Sequence, residues 1–254
     1  IRDAQESRGL GDVYKRQVIK GGFASPETIA HIATQKFMMA SPLYRQEQEW
    51  KQNGILLSRQ TMSNWLIKAC ENWLEPIYGE MKRRLCMHDV LHGDETVLQV
   101  LKEPGKAAQS KSYMWLFRTS GEAKHQIVLY DYQPDRKHTH PEEFLKGFSG
   151  YLHADGYDGY HKLPQNITVV GCWTHLRRKF FDALKILPKD KQPDSNAAKG
   201  VAYCDKLFQF EKQFALLTHE NQLKEREKLS RQLIDKFYDW IGNLNALPNT
   251  LLGK

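Results

Sequence analysis

Residues 90–101, VLHGDETVLQVL, decide the fold of this chain of 254 residues. Valine and leucine are interspersed there with polar residues, a pattern that predicts one long β-strand or a pair of strands. Two more segments, SYMWLFRT at 112–119 and HQIVLYDY at 125–132, are rich in β-branched and aromatic residues and are separated by turn-forming residues. We therefore expect three consecutive strands over residues 89–133.

Predicted helices and strands alternate after these three strands. The expected elements are a short helix in HPEEFL (140–145), a strand in YLHADGYDGY (151–160), a strand in ITVVGCWTH (167–175) and a basic helix in HLRRKFFDALKIL (175–187). Apolar residues at helical spacing over residues 195–244 predict further helices. This order of strands and helices predicts an α/β fold.

The segment before these strands is predicted to be helical. Residues 25–27, Ser-Pro-Glu, are typical of a helix start, with a serine N-cap, a proline in the first turn and an acid behind it. A second helix is expected after Pro42 and ends at Gly54, and Ser58 is the predicted N-cap of a third. A helix, a turn and a capped helix over residues 43–74 resemble a helix-turn-helix motif.

The composition limits the classes of partner and compartment. The formal net charge is +7, and a surplus of lysine and arginine suits a polyanionic partner such as nucleic acid. The sequence has no run of 18 apolar residues and no signal-peptide core, so we expect neither a membrane span nor secretion. The four cysteines are too scattered for a disulfide framework, and a reducing cytosol is the expected compartment.

Two aspartates stand out because each belongs to a predicted strand. Asp94 interrupts an apolar strand, where a buried carboxylate is costly unless it is paired or bound to a metal. Side-chain alternation along the strand can instead point Asp94 outward to water. Asp155 ends a strand and precedes Gly156, which is a common position for a catalytic carboxylate and also an ordinary Asp-Gly turn. Taken singly, each aspartate leaves both interpretations open.

The strand order makes the pair more informative than either aspartate alone. Asp94 lies on the first predicted strand and Asp155 on the fourth. The order of elements resembles that of ribonuclease-H-like folds, in which these two strands are neighbours at the centre of the sheet. Two carboxylates brought together there would hold Mg²⁺, which prefers oxygen ligands and can activate the attacking oxygen in phosphodiester chemistry. Asp94 and Asp155 are therefore the predicted catalytic and metal-binding residues.

A basic segment follows the fifth predicted strand. Cys172 and His175 have the spacing of half a zinc site, but the sequence contains no second pair with matching spacing, which favours a structural role for Cys172. Arg177, Arg178 and Lys179 oppose the dipole of the helix that they begin, so phosphate binding is one explanation and a solvated face is the other. We predict that His175, Arg177, Arg178 and Lys179 contact DNA.

The chain resembles the transposases of the insertion sequence 66 family over residues 20–254. The blocks that carry the resemblance are, in order, GFASPETIAHIATQKF, PLYRQEQEW, SRQTMSNWL, HGDETVLQVL, YMWLFR, FLKGFSGYLHADGYDGY and GCWTHLRRKF. The resemblance implies a DDE-type transposase with a ribonuclease-H-like core, in which two aspartates and one glutamate bind Mg²⁺ or Mn²⁺. Asp94 matches the first acidic position and Asp155 the second, while Gly93 stands where alanine is more usual in the family.

The resemblance also implies how the chain is divided. Residues 1–17 are expected to be an unstructured leader, whose sequence resembles translated sequencing-adaptor text. Residues 18–87 are the helical, helix-turn-helix-like region, 88–190 a partial ribonuclease-H-like catalytic core, and 191–254 a helical insertion truncated at its C-terminus. The third carboxylate of the family, near an Asp-Asn-Asn motif followed by Glu-Arg, has no counterpart in this sequence. We therefore expect a central fragment that is inactive alone.

For the full-length parent, the resemblance implies metal-dependent phosphodiester cleavage and strand transfer at insertion-sequence ends. Its expected partners are terminal repeats and target DNA, with self-association and accessory proteins of the same element, in the bacterial cytoplasm and on the nucleoid. A DNA-binding module without catalytic activity is the alternative. A glycosidase with two carboxylates fits poorly, because its acids need not lie on the first and fourth strands and the basic surplus stays unexplained.

Overall fold

A computed structural model describes residues 18–19 and 22–245 of the chain. The expected leader at residues 1–17 lies outside the described residues. The chain divides into two compact units, one up to Arg84 and one from Leu85, and each unit contains a cluster of buried apolar side chains. The division into four parts stays a prediction.

The first unit consists of helices. Its described helices are α1 (Pro26–Phe37), α2 (Leu43–Gln52), α3 (Arg59–Ala69) and α4 (Glu75–Leu85), with a π-helical turn at Cys70–Leu74 between the last two. The predicted serine caps are confirmed, because Ser25 Oγ accepts a hydrogen bond from the Thr28 amide at 3.2 Å and Ser58 Oγ from the Thr61 amide at 3.1 Å. Gly54, in the link between α2 and α3, has a φ of 78°, a conformation that favours glycine.

A five-stranded mixed sheet forms the centre of the second unit. Its strands are β1 (Val90–Gln99), β2 (Lys111–Thr119), β3 (Val128–Gln133), β4 (Gly150–Ala154) and β5 (Ile167–Gly171), in the order β3-β2-β1-β4-β5. β2 is antiparallel to both β1 and β3, whereas β4 runs parallel to β1 and β5 parallel to β4. This order confirms the predicted α/β, ribonuclease-H-like sheet, with the first and fourth strands side by side.

Helices connect and follow the strands of this sheet. They are α5 (Thr139–Phe144), α6 (Trp173–Ile186), α7 (Asn196–Phe214), α8 (His219–Glu225) and α9 (Arg231–Gly242), with a π-helical turn at Arg226–Ser230 before α9. Helix α6 begins two residues earlier than the sequence predicts, because the Cys172 amide donates the last sheet bond, to the Ala154 carbonyl at 2.9 Å, and the chain turns directly after it. None of the described helices is both long and apolar enough to span a membrane.

Side-chain alternation along β1 gives the sheet two unlike faces. Leu91, Gly93 and Glu95 lie on the buried face, whereas His92 and Asp94 lie on the more open one. The single long strand therefore separates two consecutive acids, in accordance with the period of two residues in a β-strand. This separation positions the site described next.

Candidate active site

Asp94 projects from the middle of β1 into an open pocket. Its side chain is 54% exposed, and its Oδ1 atom accepts a hydrogen bond from the Glu95 amide at 2.9 Å. The Nε2 atom of His175, in the first turn of α6, lies 3.7 Å from Oδ2 of Asp94. The other ring nitrogen of His175, Nδ1, is buried and has no hydrogen-bond partner among the described residues. The Asp94 carboxylate is therefore accessible to an incoming ligand.

Asp155 directly follows the last residue of β4. The last pair of the parallel ladder between β1 and β4 is His92 with His153, so Asp94 and Asp155 each lie two residues beyond it. Because neighbouring strands are about 4.8 Å apart, we expect the backbones of the two aspartates to be adjacent. The Asp155 side chain is 23% exposed, and its Oδ1 atom accepts a hydrogen bond from the Tyr157 amide at 2.9 Å.

The charges of both aspartates act on one tyrosine. Burial, followed by the charge of Glu95, raises the pKa of Tyr160 far above its usual range, and the charges of Asp155 and Asp94 raise it further. Tyr160 therefore stays protonated and donates its hydroxyl to Oε2 of Glu95 at 2.8 Å.

The pocket in front of Asp94 has a volume of about 440 Å³, and its lining includes both basic and apolar residues. Arg118 of β2, which is paired with His92 in the ladder, and Arg178 of α6 supply positive charge. His175 lines the same pocket. The pocket thus combines a carboxylate with two guanidinium groups, an arrangement that suits a cation together with a phosphate group.

His92 and His153 form a neutral pair beside this pocket. Their Nδ1 atoms are 3.0 Å apart, so one ring donates a hydrogen bond to the other. Burial lowers the pKa of His92 to about 4, and the charges of Arg118 and His153 add to the effect. Burial also lowers the pKa of His153, with contributions from His175 and Arg118. Both rings are therefore uncharged at neutral pH.

The basic residues at the start of α6 have different surroundings. Arg177 is tied to α7, because its Nε atom lies 2.6 Å from Oδ1 of Asp205. Arg178 and Lys179 are exposed, and Arg178 also lines the pocket in front of β1. Of the residues predicted to contact DNA, His175 and Arg178 therefore lie together, whereas Arg177 has a partner within the protein.

Glu95 and Arg136 form an ion pair that the sequence analysis did not predict. The Glu95 side chain is 1% exposed, and the Nε atom of Arg136 lies 2.6 Å from its Oε1 atom. Burial raises the pKa of Glu95, while hydrogen bonds from Tyr160 and Arg136 oppose the rise. Strand alternation is the signal that separates Glu95 from Asp94, but no sequence signal marks an arginine in a loop 41 residues further along.

The family model described as transposase IS66 family matches residues 21–254 of the chain. The chain belongs to the IS66 transposase family. This match confirms the resemblance on which the assignment of the two acidic positions was based.

Two uncharacterized proteins of Sinorhizobium fredii are similar to this IS66-family chain. Protein y4hP is 29% identical over 240 residues, which cover 89% of the chain and 43% of y4hP. Protein y4qI is 31% identical over 178 residues, which cover 65% of the chain and 33% of y4qI. The chain thus spans less than half the length of these curated relatives.

One solved structure is also similar, the Mos1 transposase paired-end complex with left transposon end. It is 13% identical, with a TM-score of 0.21, and the match covers 81% of the IS66-family chain and 76% of the Mos1 chain. At this level of similarity, the fold assignment rests on the strand order of the chain itself.

Asp94 and Asp155 are the candidate ligands of a divalent cation. In the described part of the chain, no group of three His, Cys, Asp or Glu side chains is arranged to hold a metal ion. The exposed Asp94 carboxylate offers oxygen ligands, whereas Asp155 is 23% exposed, with Oδ1 bonded to the Tyr157 amide and Oδ2 3.6 Å from Arg136. Mg²⁺ is commonly held by one or two carboxylates with waters and substrate phosphates. Arg136 and Tyr160 already occupy both oxygens of Glu95, so Glu95 is unsuited to cation binding.

Proposed function

We propose that this chain is the central part of a DNA transposase and that Asp94 and Asp155 bind catalytic Mg²⁺ or Mn²⁺. The observation that carries the proposal is the parallel ladder between β1 and β4, whose last pair, His92 with His153, comes two residues before Asp94 and two before Asp155. Membership of the IS66 family supports the same class of reaction. In the full-length parent, a phosphodiester at an insertion-sequence end would be cleaved and the freed 3′-hydroxyl would attack target DNA.

The residues around the pocket are proposed to have different roles in this reaction. When bound, the cation would activate a water or a 3′-hydroxyl and stabilise the leaving oxygen of the phosphodiester. Asp94 and Asp155 would each contribute one carboxylate to its binding. His175, 3.7 Å from Asp94, would orient that carboxylate. Arg118 and Arg178 would bind phosphate oxygens of the DNA strand in the pocket.

The proposed DNA surface continues from the pocket along the start of α6. Arg178 and Lys179 are exposed there, and each phosphate that they neutralise would make binding more sensitive to salt. On a duplex of random sequence, Arg178→Gln should reduce the slope of log affinity against log salt by about one. Arg177→Gln is the matched control and should change the slope less, because Asp205 already holds Arg177. Equal slopes for the unaltered chain, Arg178→Gln and Arg177→Gln would contradict the proposed DNA surface.

Catalysis is proposed to require a third carboxylate. In the family pattern that residue follows a helical insertion and lies near an Asp-Asn-Asn motif, which these 254 residues do not contain. We therefore expect the chain alone to leave terminal-repeat DNA uncleaved with Mg²⁺ or Mn²⁺, and robust cleavage by it would refute this part of the proposal. Further proposed partners of the parent are a second copy and accessory proteins of the element, in the bacterial cytoplasm and on the nucleoid.

Two Asp-Gly pairs in one loop provide the test of the catalytic assignment. Asp155 precedes Gly156, and the exposed Asp158 precedes Gly159. In the full-length parent, Asp155→Asn should abolish cleavage of terminal-repeat DNA and preserve DNA binding, whereas Asp158→Asn should preserve both. Near-normal transposition by Asp155→Asn would overturn the assignment and favour the alternative of a DNA-binding module without chemistry.

A further inference from the structure

Arg136 lies between two carboxylates in the second unit. It belongs to the link between β3 and α5. Its Nε atom is 2.6 Å from Oε1 of Glu95, and its Nη2 atom donates to the same oxygen. The same Nη2 atom lies 3.6 Å from Oδ2 of Asp155. One guanidinium group therefore contacts both the strand that carries Asp94 and the residue that follows β4.

The loop after Asp155 is fastened to the same arginine. The guanidinium carbon of Arg136 lies 4.0 Å from the ring centroid of Tyr157, and the Tyr157 hydroxyl donates to the Arg136 carbonyl. The Tyr157 amide donates to Oδ1 of Asp155 at 2.9 Å. Further along the loop, the Tyr160 hydroxyl donates to Oε2 of Glu95 at 2.8 Å. The loop is thus attached to β1 and to Arg136 at several points.

Glu95 fixes the position of Arg136. A carboxylate whose side chain is 1% exposed is strongly destabilising without a partner, and Arg136 and Tyr160 supply its partners. Movement of Arg136 away from Glu95 would leave that charge buried and unpaired. The guanidinium group therefore stays in place, and so does its contact with Asp155.

We propose that Arg136 is a positioning residue for Asp155, holding this carboxylate and the loop behind it in place at the end of β4. The inference rests on the proposed function, in which Asp155 and Asp94 bind a cation together. The link between β3 and α5, which contains Arg136, would then belong to the proposed site together with β1 and the residue that follows β4.

The charge and the contacts of Arg136 have opposite effects on cation binding. Its positive charge repels a cation at Asp155, so removal of the charge alone would strengthen cation binding. Removal of its contacts would free Asp155 and the loop to move, which would weaken cation binding. The sign of the change therefore separates a positioning role from a purely electrostatic one.

Hydrogen–deuterium exchange tests the positioning role without any metal ion. In this chain, Arg136→Gln should speed the exchange of the Tyr157 amide, followed in a peptide that covers residues 154–160, by about tenfold. Arg226→Gln is the matched control, because it breaks another arginine pair, with Glu211 at 2.7 Å, among the helices. The control should leave the peptide unchanged. Unchanged exchange in Arg136→Gln would overturn the inference.

Mn²⁺ binding, followed by electron paramagnetic resonance, tests the consequence for the site. We expect Arg136→Gln to weaken Mn²⁺ binding by about tenfold, although it removes a positive charge. Stronger or unchanged binding would contradict the positioning role. Asp155→Asn is the reference for the proposed function. If Asp155→Asn binds Mn²⁺ as the unaltered chain does, the proposed function fails, whatever the exchange experiment shows for Arg136.

If Arg136→Gln does not fold, Arg136→Lys can be used in both the hydrogen–deuterium exchange and the Mn²⁺ binding experiments. Lysine keeps a positive charge for Glu95 but lacks the planar group that contacts Glu95 and Asp155 together. We expect exchange over residues 154–160 to be faster, and Mn²⁺ binding to be weaker, by about threefold each. Exchange and binding equal to those of the unaltered chain would show that the guanidinium group of Arg136 does not position Asp155.

Discussion

On the open face of β1 the Asp94 side chain is 54% exposed, whereas on the buried face the Glu95 side chain is 1% exposed. Asp94 faces a pocket, and the Nε2 atom of His175 lies 3.7 Å from its Oδ2 atom. Glu95 binds Arg136 and the hydroxyl of Tyr160. Two consecutive acids thus have different surroundings, since Asp94 is accessible to a ligand and Glu95 is paired within the protein. A carboxylate in a strand is informative about function only once its face is known.

Conversion of each acid to its amide should distinguish the proposed roles of Asp94 and Glu95 most clearly. In the full-length parent, Asp94→Asn should lower strand cleavage by about a thousandfold or more, because a neutral amide is a poor ligand for the cation. Its thermal unfolding midpoint should stay unchanged, because the side chain is exposed. Glu95→Gln should lower the unfolding midpoint and retain more cleavage than Asp94→Asn. Single-turnover cleavage of terminal-repeat DNA and thermal melts measure both quantities, and equal cleavage by the two variants would break the comparison.

Removal of the acidic groups should reveal the stability difference directly. Glu95→Ala should lower the free energy of unfolding by about 3 kcal/mol, because it leaves Arg136 and the Tyr160 hydroxyl without their partner. Asp94→Ala is the matched control and should change that free energy by less than about 0.5 kcal/mol. Urea unfolding of this chain, followed by circular dichroism, is the measurement. Similar losses for the two variants would mean that Glu95 is no more structural than Asp94.

The partly buried His92, on the open face of β1, should make stability depend on pH. The pKa of His92 is lowered to about 4 in the folded chain, against about 6.5 in an unfolded one. Between these values the unfolded chain binds a proton that the folded chain does not, so stability falls as the pH drops. From about pH 7 to about pH 5 we expect His92 to account for a loss of about 1 kcal/mol, because solvent screens its partly exposed ring. His92→Gln should remove this loss in urea unfolding, whereas a change at the exposed His125, His125→Gln, should not.

The smallest expected effect concerns Gly93, on the buried face between His92 and Asp94. A Cβ atom there would lie 3.3 Å from Cδ1 of Leu152 and 3.4 Å from Cε1 of Phe117, which is tight but involves the ends of side chains. The gain in backbone rigidity and this crowding oppose one another. Gly93→Ala should therefore change the free energy of unfolding by less than about 1 kcal/mol. A larger loss in urea unfolding would show that the buried face packs too tightly for a methyl group.

The sequence predicted the sheet because each strand has its own local signal. β-branched and aromatic residues define β1, β2 and β3, and their order with α5, β4 and β5 leads to the observed arrangement. The register between β1 and β4 was not predicted, because parallel strands are aligned by packing rather than by a turn. One signal was present in the sequence: His-Xaa-Asp occurs at residues 92–94 and 153–155, and the ladder pairs the two histidines.

The surroundings of the aspartates were harder to predict than the strands. Arg136 lies in a loop, and its contact with Asp155 depends on where that loop folds back, so no periodicity marks it. The pairing of Arg177 with Asp205 likewise depends on the packing of α6 against α7. Contacts between distant segments depend on tertiary packing. The local sequence patterns that predict strands and helices do not show which segments pack together.

The position of a bound cation is the most direct test of the central claim. Crystals of this chain grown with Mn²⁺ would locate the ion by its anomalous scattering. The account predicts one peak between the carboxylates of Asp94 and Asp155, within coordination distance of both. Mn²⁺ bound elsewhere, or at one aspartate with the other carboxylate turned away, would contradict the assignment of these two residues as one site.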